Sequence, residues 1–291
     1  MAVIPFDMRT GTIWMNGQYL PWADAKLHVL SHGLHYGSCV FEGERAYGGQ
    51  IFKTREHSER FLKSANILDF EIPYSVDELI AVKQEVVNRN GFQNCYVRPV
   101  AWRGSEMMAI SAQNATIHTA ICVWDWPSMF DVATKMKGIR LDIAEYRRPD
   151  PACAPFDSKA AGLYMICTIS KHRAEKKGYA DALMLDWQGR VAECTGANVL
   201  FTKGDEIITP IADCFLDGIT RRTVIELAKR RGFKVTEKRI MPEELASFDE
   251  CFICGTGAEV TPVAEIGPYK FTPANICRTL VEDYAVEVTP K

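Results

Sequence analysis

"PFDSKAAGLYMICTISK" (155–171) places one lysine, Lys159, at the head of a run of small and apolar residues. Ala160, Ala161, Leu163, Met165, Ile166 and Ile169 suit a helix, and Gly178 closes the pattern after His172 to Lys177. The spacing predicts a buried helix with Lys159 at its start. An ammonium there is costly unless it is paired or bonded. A covalent bond to a carbonyl compound would remove the charge. The alternative is an ordinary lysine whose stem carries its charge past its neighbours to water. What surrounds this stretch decides between the two.

Downstream, "DALMLDWQGRVAECTGANVLF" (181–201) reads as a hairpin turning at Gly189. "EIITP", a helix from Ile219, "KVTEKRI", "CFICGTGAEVTPVAEI" and a C-terminal helix follow. Upstream, "DWPSMFDVATKMKG" (125–138) breaks the pattern at a Trp-Pro-Ser turn. It predicts a small domain over 1–126, a linker over 127–136 and a larger domain over 137–291. Before the linker, "TIWMNGQYL", "SCVFEGERAYGGQIF", "CYVRPVAWRG" and "TIHTAICVWDW" are strand-like. Two helices lie among them. Thr54 is the expected cap of the first, with Phe61, Leu62, Ala65 and Leu68 on one face. Ser75 and Glu78 form a capping box for the second, which ends at Gly91. Strands and helices without regular alternation predict an α+β chain in two domains.

The 291 residues are 47% hydrophobic and 24% charged, ordinary for a globular protein. A net charge of −3 leaves no footprint for nucleic acid or acidic lipid. No apolar run reaches membrane-spanning length, and "MAVIPFDMRTGTIW" lacks a signal-peptide pattern, so a cytoplasmic protein is expected. Ten scattered cysteines fit reduced thiols. Cys251 and Cys254 have C-x-x-C spacing, but on a strand residues three apart face opposite sides, which disfavours a metal or redox pair.

Several constellations could carry chemistry. Gly218, Ile219 and Thr220 open the helix that ends at Gly232, where free N–H groups and the helix dipole attract an anion. "CGTGAEVTP" (254–262) contains G-x-G, yet Val260 and the missing βαβ unit exclude a dinucleotide fingerprint. It stands as a second phosphate or carboxylate cradle. Glu193 is a lone acid in a small, apolar strand, either functional or at a surface edge. Tyr96 and Arg98, two apart, share a strand face with Val97 opposite; they suit a carboxylate ligand or a structural ion pair. His28, His32 and His35 have metal-like spacing, but Gly33 and Gly37 predict a loop with structural histidines.

Taken together the chain resembles the branched-chain aminotransferases among fold type IV pyridoxal-phosphate enzymes. The resemblance rests on "SHGLHYGSCVFEGERAY" (31–47), "REHSERFLKSA" (55–65), "YVRP" (96–99), "SKAAGLYM" (158–165), "ECTGANVLF" (193–201), "LDGITR" (216–221) and "GTGAEVTPV" (255–263), in the family's order. It implies a small α/β domain and a larger pseudo-barrel domain. It also implies pyridoxal 5'-phosphate bound covalently to Lys159, with Tyr164 on the ring's phenolate oxygen and Glu193 on its nitrogen. Arg60, Leu216, Ile219, Thr220 and Thr256 complete the implied cofactor site. Thr256 and Gly257 would also meet the substrate α-carboxylate, with Tyr36, Phe41, Gly43, Tyr96, Arg98 and Trp126 around its side chain, Tyr36 coming from a partner subunit. No metal is implied. The implied reaction is transamination between leucine, isoleucine or valine and 2-oxoglutarate, by a homodimer or higher homo-oligomer. Residues 101–114 depart from the family pattern beside the substrate. Related folds act on D-amino acids or (R)-primary amines, or cleave aminodeoxychorismate. Outside the family, the alternatives are a nicotinamide-linked oxidoreductase using the Gly-Thr-Gly turn and a cofactor binder without turnover.

Overall fold

The β-branched and aromatic runs form two separate sheets. The computed structural model describes residues 4–126 and 132–290. They divide into two compact units, one holding 4–126, 158–162 and Pro290, the other 132–157 and 163–289. Residues 127–131 of the expected linker lie outside the described residues, and its remainder begins the second unit. The stretch 158–162 belongs with the first unit although the sequence assigned it to the larger domain.

The first unit contains β1 (Thr12–Met15), β2 (Gln18–Pro21), α1 (His32–Tyr36), β3 (Cys39–Phe41), β4 (Glu44–Tyr47), β5 (Gln50–Ile51), α2 (Thr54–Ile67), α3 (Val76–Asn90), β6 (Cys95–Arg103) and β7 (Ile117–Asp125). Its antiparallel sheet has the order β2-β1-β7-β6-β4-β5, with β3 also on β6. α2 and α3 bury Phe61, Ala65, Leu79, Val86 and Val87 with Val97, Ile121 and Val123 of the sheet. α3 carries the predicted Ser75–Glu78 capping box and ends at Gly91, whose φ of 70° favours glycine. α2 differs from expectation: Lys53, at φ 49°, is its N-cap, and Thr54 lies inside the first turn. α1 corrects the predicted loop. Gly33 sits inside this one-turn helix, and Gly37, at φ 69°, ends it. His32 anchors it, Nε2 donating to Ala109 O at 2.8 Å with Nδ1 2.9 Å from Ser38 Oγ.

The second unit contains α4 (Val132–Lys135), β8 (Ile139–Ile143), α5 (Met165–Lys176), β9 (Asp181–Leu185), β10 (Val191–Cys194), β11 (Asn198–Lys203), β12 (Glu206–Pro210), α6 (Ile219–Arg230), β13 (Lys234–Lys238), β14 (Cys251–Gly255), β15 (Glu259–Ile266), β16 (Tyr269–Lys270) and α7 (Asn275–Val288). The sheet order is β10-β9-β8-β15-β14-β11-β12-β13, with β16 on β15. β8 and β9 are parallel across α5, and β12 and β13 are parallel across α6, because a parallel pair needs a crossover. Leu141, Leu183, Val199, Phe201, Ile253, Val263 and Phe271 form its core. The mixed helix-and-sheet expectation agrees with both units. All ten cysteines are free thiols. Burial pushes Cys254 up to about 12, so it stays a protonated, unreactive thiol. Among the described residues no helix is long and apolar enough to cross a membrane.

Candidate active site

Lys159 does not start a helix. It lies between a turn and an isolated bridge, in which the next residue, Ala160, pairs with Val40 of β3. Phe41 N–H donates to Lys159 C=O at 3.2 Å, Lys159 N–H donates to Ser64 Oγ at 3.0 Å, and Ser158 Oγ donates to Ser64 C=O at 2.9 Å. Phe41 thus holds the Lys159 C=O that a first helical turn would have used, and helical structure begins only at the 3-10 turn Ala161–Tyr164. The chain passes close to Gly37 here, whose φ of 69° itself favours glycine. A Cβ on Gly37 would lie 3.4 Å from the Gly162 Cα. Lys159 is half-buried, its Nζ 4.9 Å from the Phe41 ring centroid.

Phe41 also receives Arg98. The Arg98 Cζ lies 4.6 Å from the Phe41 centroid, 5.2 Å from Tyr96 and 5.9 Å from Trp124, and Nη2 donates to Tyr96 Oη at 3.2 Å. Its Nε is buried without a hydrogen-bond partner, and among the described residues no carboxylate pairs with it. β6 puts Tyr96 and Arg98 on one face while Val97 enters the core. Tyr96 stands opposite Trp124 in the β6–β7 register, their rings stacked at 4.9 Å, and Trp126 tilts against Tyr96 at 5.4 Å. Phe6 closes edge-on over Trp124 at 5.1 Å. Gly43 must be glycine here, because a Cβ would stand 1.9 Å from Tyr96 Oη. Sequence reasoning missed Trp124, although its alternation with Trp126 on a strand was a usable signal. Tyr36 is 47% exposed, its ring stacked on His32.

Arg60 projects from α2 to Glu42, a residue of the Phe41-Glu42-Gly43 motif to which the sequence reading gave no role. Glu42 accepts Arg60 Nε at 2.6 Å, Arg60 Nη2 at 2.8 Å and His57 Nδ1 at 2.7 Å. Burial alone would raise the Glu42 carboxyl; Arg60 and then His57 reverse this and hold it well below the usual carboxylate range. Beside it, Lys83 Nζ donates to Glu44 Oε1 at 2.8 Å, Glu44 Oε2 at 3.0 Å, Ser58 Oγ at 2.6 Å and Thr54 C=O at 3.3 Å, a buried ion pair with its hydrogens used.

In the second unit a register shift between Val191 and Glu193 interrupts the β9–β10 ladder and re-aims Glu193. Its side chain is 14% exposed, with Arg148 Nε at 3.4 Å. Asn198 Nδ2 donates to Glu193 Oε2 at 3.4 Å and to Leu216 C=O at 3.1 Å. The same amide borders the start of α6: a Cβ on Gly218 would stand 2.2 Å from Asn198 Oδ1. Gly218 caps α6 without any side-chain bond, so Ile219 and Thr220 open the helix at the positive end of its dipole. Arg148 and Asn198 escaped sequence reasoning because their partners are distant or weakly patterned. Tyr164 ends the 3-10 turn and precedes α5. Thr256, Gly257 and Ala258 form the turn between the antiparallel strands β14 and β15, not a strand–helix junction, as the rejection of a dinucleotide fingerprint requires. A Cβ on Gly255 would lie 3.3 Å from Gly196 C=O.

The two units thus carry a lysine, an aromatic wall holding Arg98, a helix N-terminus without a side-chain cap, and a carboxylate. A family profile described as amino-transferase class IV matches residues 39–266. A probable branched-chain-amino-acid aminotransferase of Rickettsia felis is 42% identical over 274 residues, covering 94% of this chain and 93% of the relative. The branched-chain-amino-acid aminotransferase of Pseudomonas aeruginosa is 38% identical over 266 residues, covering 90% and 87%. Among solved structures, the branched-chain aminotransferase of Thermobaculum terrenum in its PLP-bound holo form is 28% identical with a TM-score of 0.87, over 96% of this chain and 94% of that one.

Proposed function

This chain belongs to the class IV aminotransferases, and we propose that it is a pyridoxal-phosphate-dependent transaminase exchanging amino groups between branched-chain L-amino acids and 2-oxoglutarate. One observation carries the substrate pair: Lys159 Nζ and Arg98 Cζ lie 4.9 and 4.6 Å from the same Phe41 centroid. An aliphatic side chain fits the rings of Phe41, Tyr96, Trp124 and Trp126. A second carboxylate fits the Arg98 guanidinium set among them.

The residues fit the cofactor. The Gly218 cradle, which a Cβ would fill, and the Ile219 and Thr220 N–H groups suit its phosphate, together with Arg60 and the N–H of Thr256. Glu193 suits the ring nitrogen, Tyr164 the phenolate oxygen and Lys159 the aldehyde, with Leu216 beside the ring. When bound, pyridoxal phosphate supplies the carbonyl that takes the amino group and a ring that accepts the electron pair released at the substrate Cα. Lys159 Nζ would hold the cofactor at rest and, as a free amine, would take the substrate Cα proton. Glu193 holds the proton on the ring nitrogen. Thr256 and Gly257 orient the α-carboxylate through their N–H groups. Tyr96, Arg98 and Trp126 select the side chain, with Gly43 leaving room for Tyr96.

The proposal includes a cytoplasmic homodimer or higher homo-oligomer. Leu27, Val29, Leu30, Leu34 and Tyr36, 52, 69, 46, 65 and 47% exposed, support it as apolar surface suited to a second copy. Borohydride reduction and peptide mapping should place the cofactor on Lys159, and single-turnover profiling should show leucine, isoleucine, valine and glutamate as donors. An adduct on another lysine, or a preference for D-amino acids or primary amines, would overturn the reading.

A further inference from the structure

Glu42 lies between the pocket residues Phe41 and Gly43 and is wholly buried. Its carboxylate receives Arg60 through two nitrogens, His57 through Nδ1 and, at 3.3 Å, the Gly43 N–H. Its own backbone N–H donates to Pro99 C=O at 2.9 Å. With Glu42 ionised it can only accept, so His57 Nδ1 must carry the hydrogen. Such a carboxylate is a cost to anion binding: it offsets part of the Arg60 charge that a phosphate would meet. Geometry offers the compensating gain. A lone arginine keeps about 2 kcal/mol of rotamer freedom, which a phosphate would have to remove on binding. A two-nitrogen fork on a buried carboxylate removes it beforehand.

We propose that Glu42, backed by His57, is a positioning residue that fixes the plane of the Arg60 guanidinium for the cofactor phosphate and ties that plane to the Phe41–Gly43 wall of the substrate pocket. The inference rests on the proposed function through the role of Arg60. α2 supplies both Arg60 and His57, one turn apart, and the chain turning out of β3 supplies the acid. Movement of either element is therefore felt at the other. The same carboxylate sets the phosphate anchor and the Gly43 backbone against which Tyr96 packs.

The test compares two ligands of the full-length, cofactor-free protein: pyridoxal phosphate and pyridoxal, the same aldehyde without its phosphate. Binding is read by tryptophan fluorescence. The wild type should strongly prefer the phosphorylated ligand. In E42Q that preference should fall about tenfold to about a hundredfold, the worth of a charged hydrogen-bonded contact. Pyridoxal affinity should stay within about threefold. R60Q should lose the preference similarly, and the double variant little more, because the two residues act as a unit. A purely structural Glu42 would weaken both ligands equally, and an unchanged preference in E42Q would equally overturn the proposal. Should E42Q not fold, E42D retains the charge but shortens its reach; its preference should fall by an intermediate amount, and an unchanged preference there would overturn the proposal as well. A wild type with no preference for the phosphate would instead refute the role of Arg60 and the functional reading beneath it.

Discussion

Replacing Arg98 by methionine separates substrate selection from cofactor chemistry. The guanidinium touches three rings and donates once, to Tyr96 Oη, while its Nε is buried without a hydrogen-bond partner. A carboxylate from glutamate or 2-oxoglutarate would gain a hydrogen bond to a charged group, about 1.5–3 kcal/mol, so that half-reaction should slow about tenfold to about a hundredfold in kcat/KM. Leucine makes no such contact. Methionine keeps an apolar stem against Phe41 and Trp124, and its sulfur contacts recover part of the cation–ring energy, about 0.5–1 kcal/mol per ring. The leucine half-reaction should therefore change less than about threefold. The assay is single-turnover kinetics with each donor alone, followed in the cofactor absorbance, with cofactor affinity measured in parallel. Equal losses for glutamate and leucine would show that Arg98 holds the shared α-carboxylate or the fold. No loss for either would remove it from the pocket.

Glu193→Gln should keep the cofactor but cut turnover severely, since a neutral amide does not hold a proton on the ring nitrogen. Near-native turnover would return Glu193 to a structural role. Lys83→Met should cost about 3–5 kcal/mol in denaturant unfolding by stranding the buried Glu44 carboxylate, and Lys83→Met/Glu44→Leu should recover most of it; additive losses would refute the pairing. Glu42 lies below its ordinary value of 4.5 in the folded state, and Glu265 is held to about 2 by hydrogen bonds from Arg140 and then Lys270. Depressed carboxyls stabilise the fold fully above the unfolded value and lose that contribution as the pH falls toward the folded one. The melting temperature should therefore hold from neutrality to about pH 5.5 and fall below about 4.5, less steeply in E42Q. Parallel acid profiles for wild type and E42Q would refute the Glu42 part.

Local signals in this chain were readable directly. The Ser75–Glu78 box, the Gly91 stop, the Gly189 hairpin and the Tyr96–Arg98 face rest on groups a few residues apart, whose interaction is the same in almost any fold. The motif order carried the family and a set of candidate residues in the same way. Tertiary structure decided what depends on distant partners. Lys159 leaves the helix because Phe41 of β3 claims its C=O. Thr54 yields the α2 cap to Lys53, which takes the left-handed backbone at the turn into the helix. Glu42, Lys83, Arg148 and Trp124 look like ordinary surface, helix or strand residues until the strands are paired. Lys83 meets Glu44 across 39 residues, and only that meeting makes its burial tolerable. A one-dimensional pattern records which side of an element a residue occupies; the charge or ring that faces it there is set by packing.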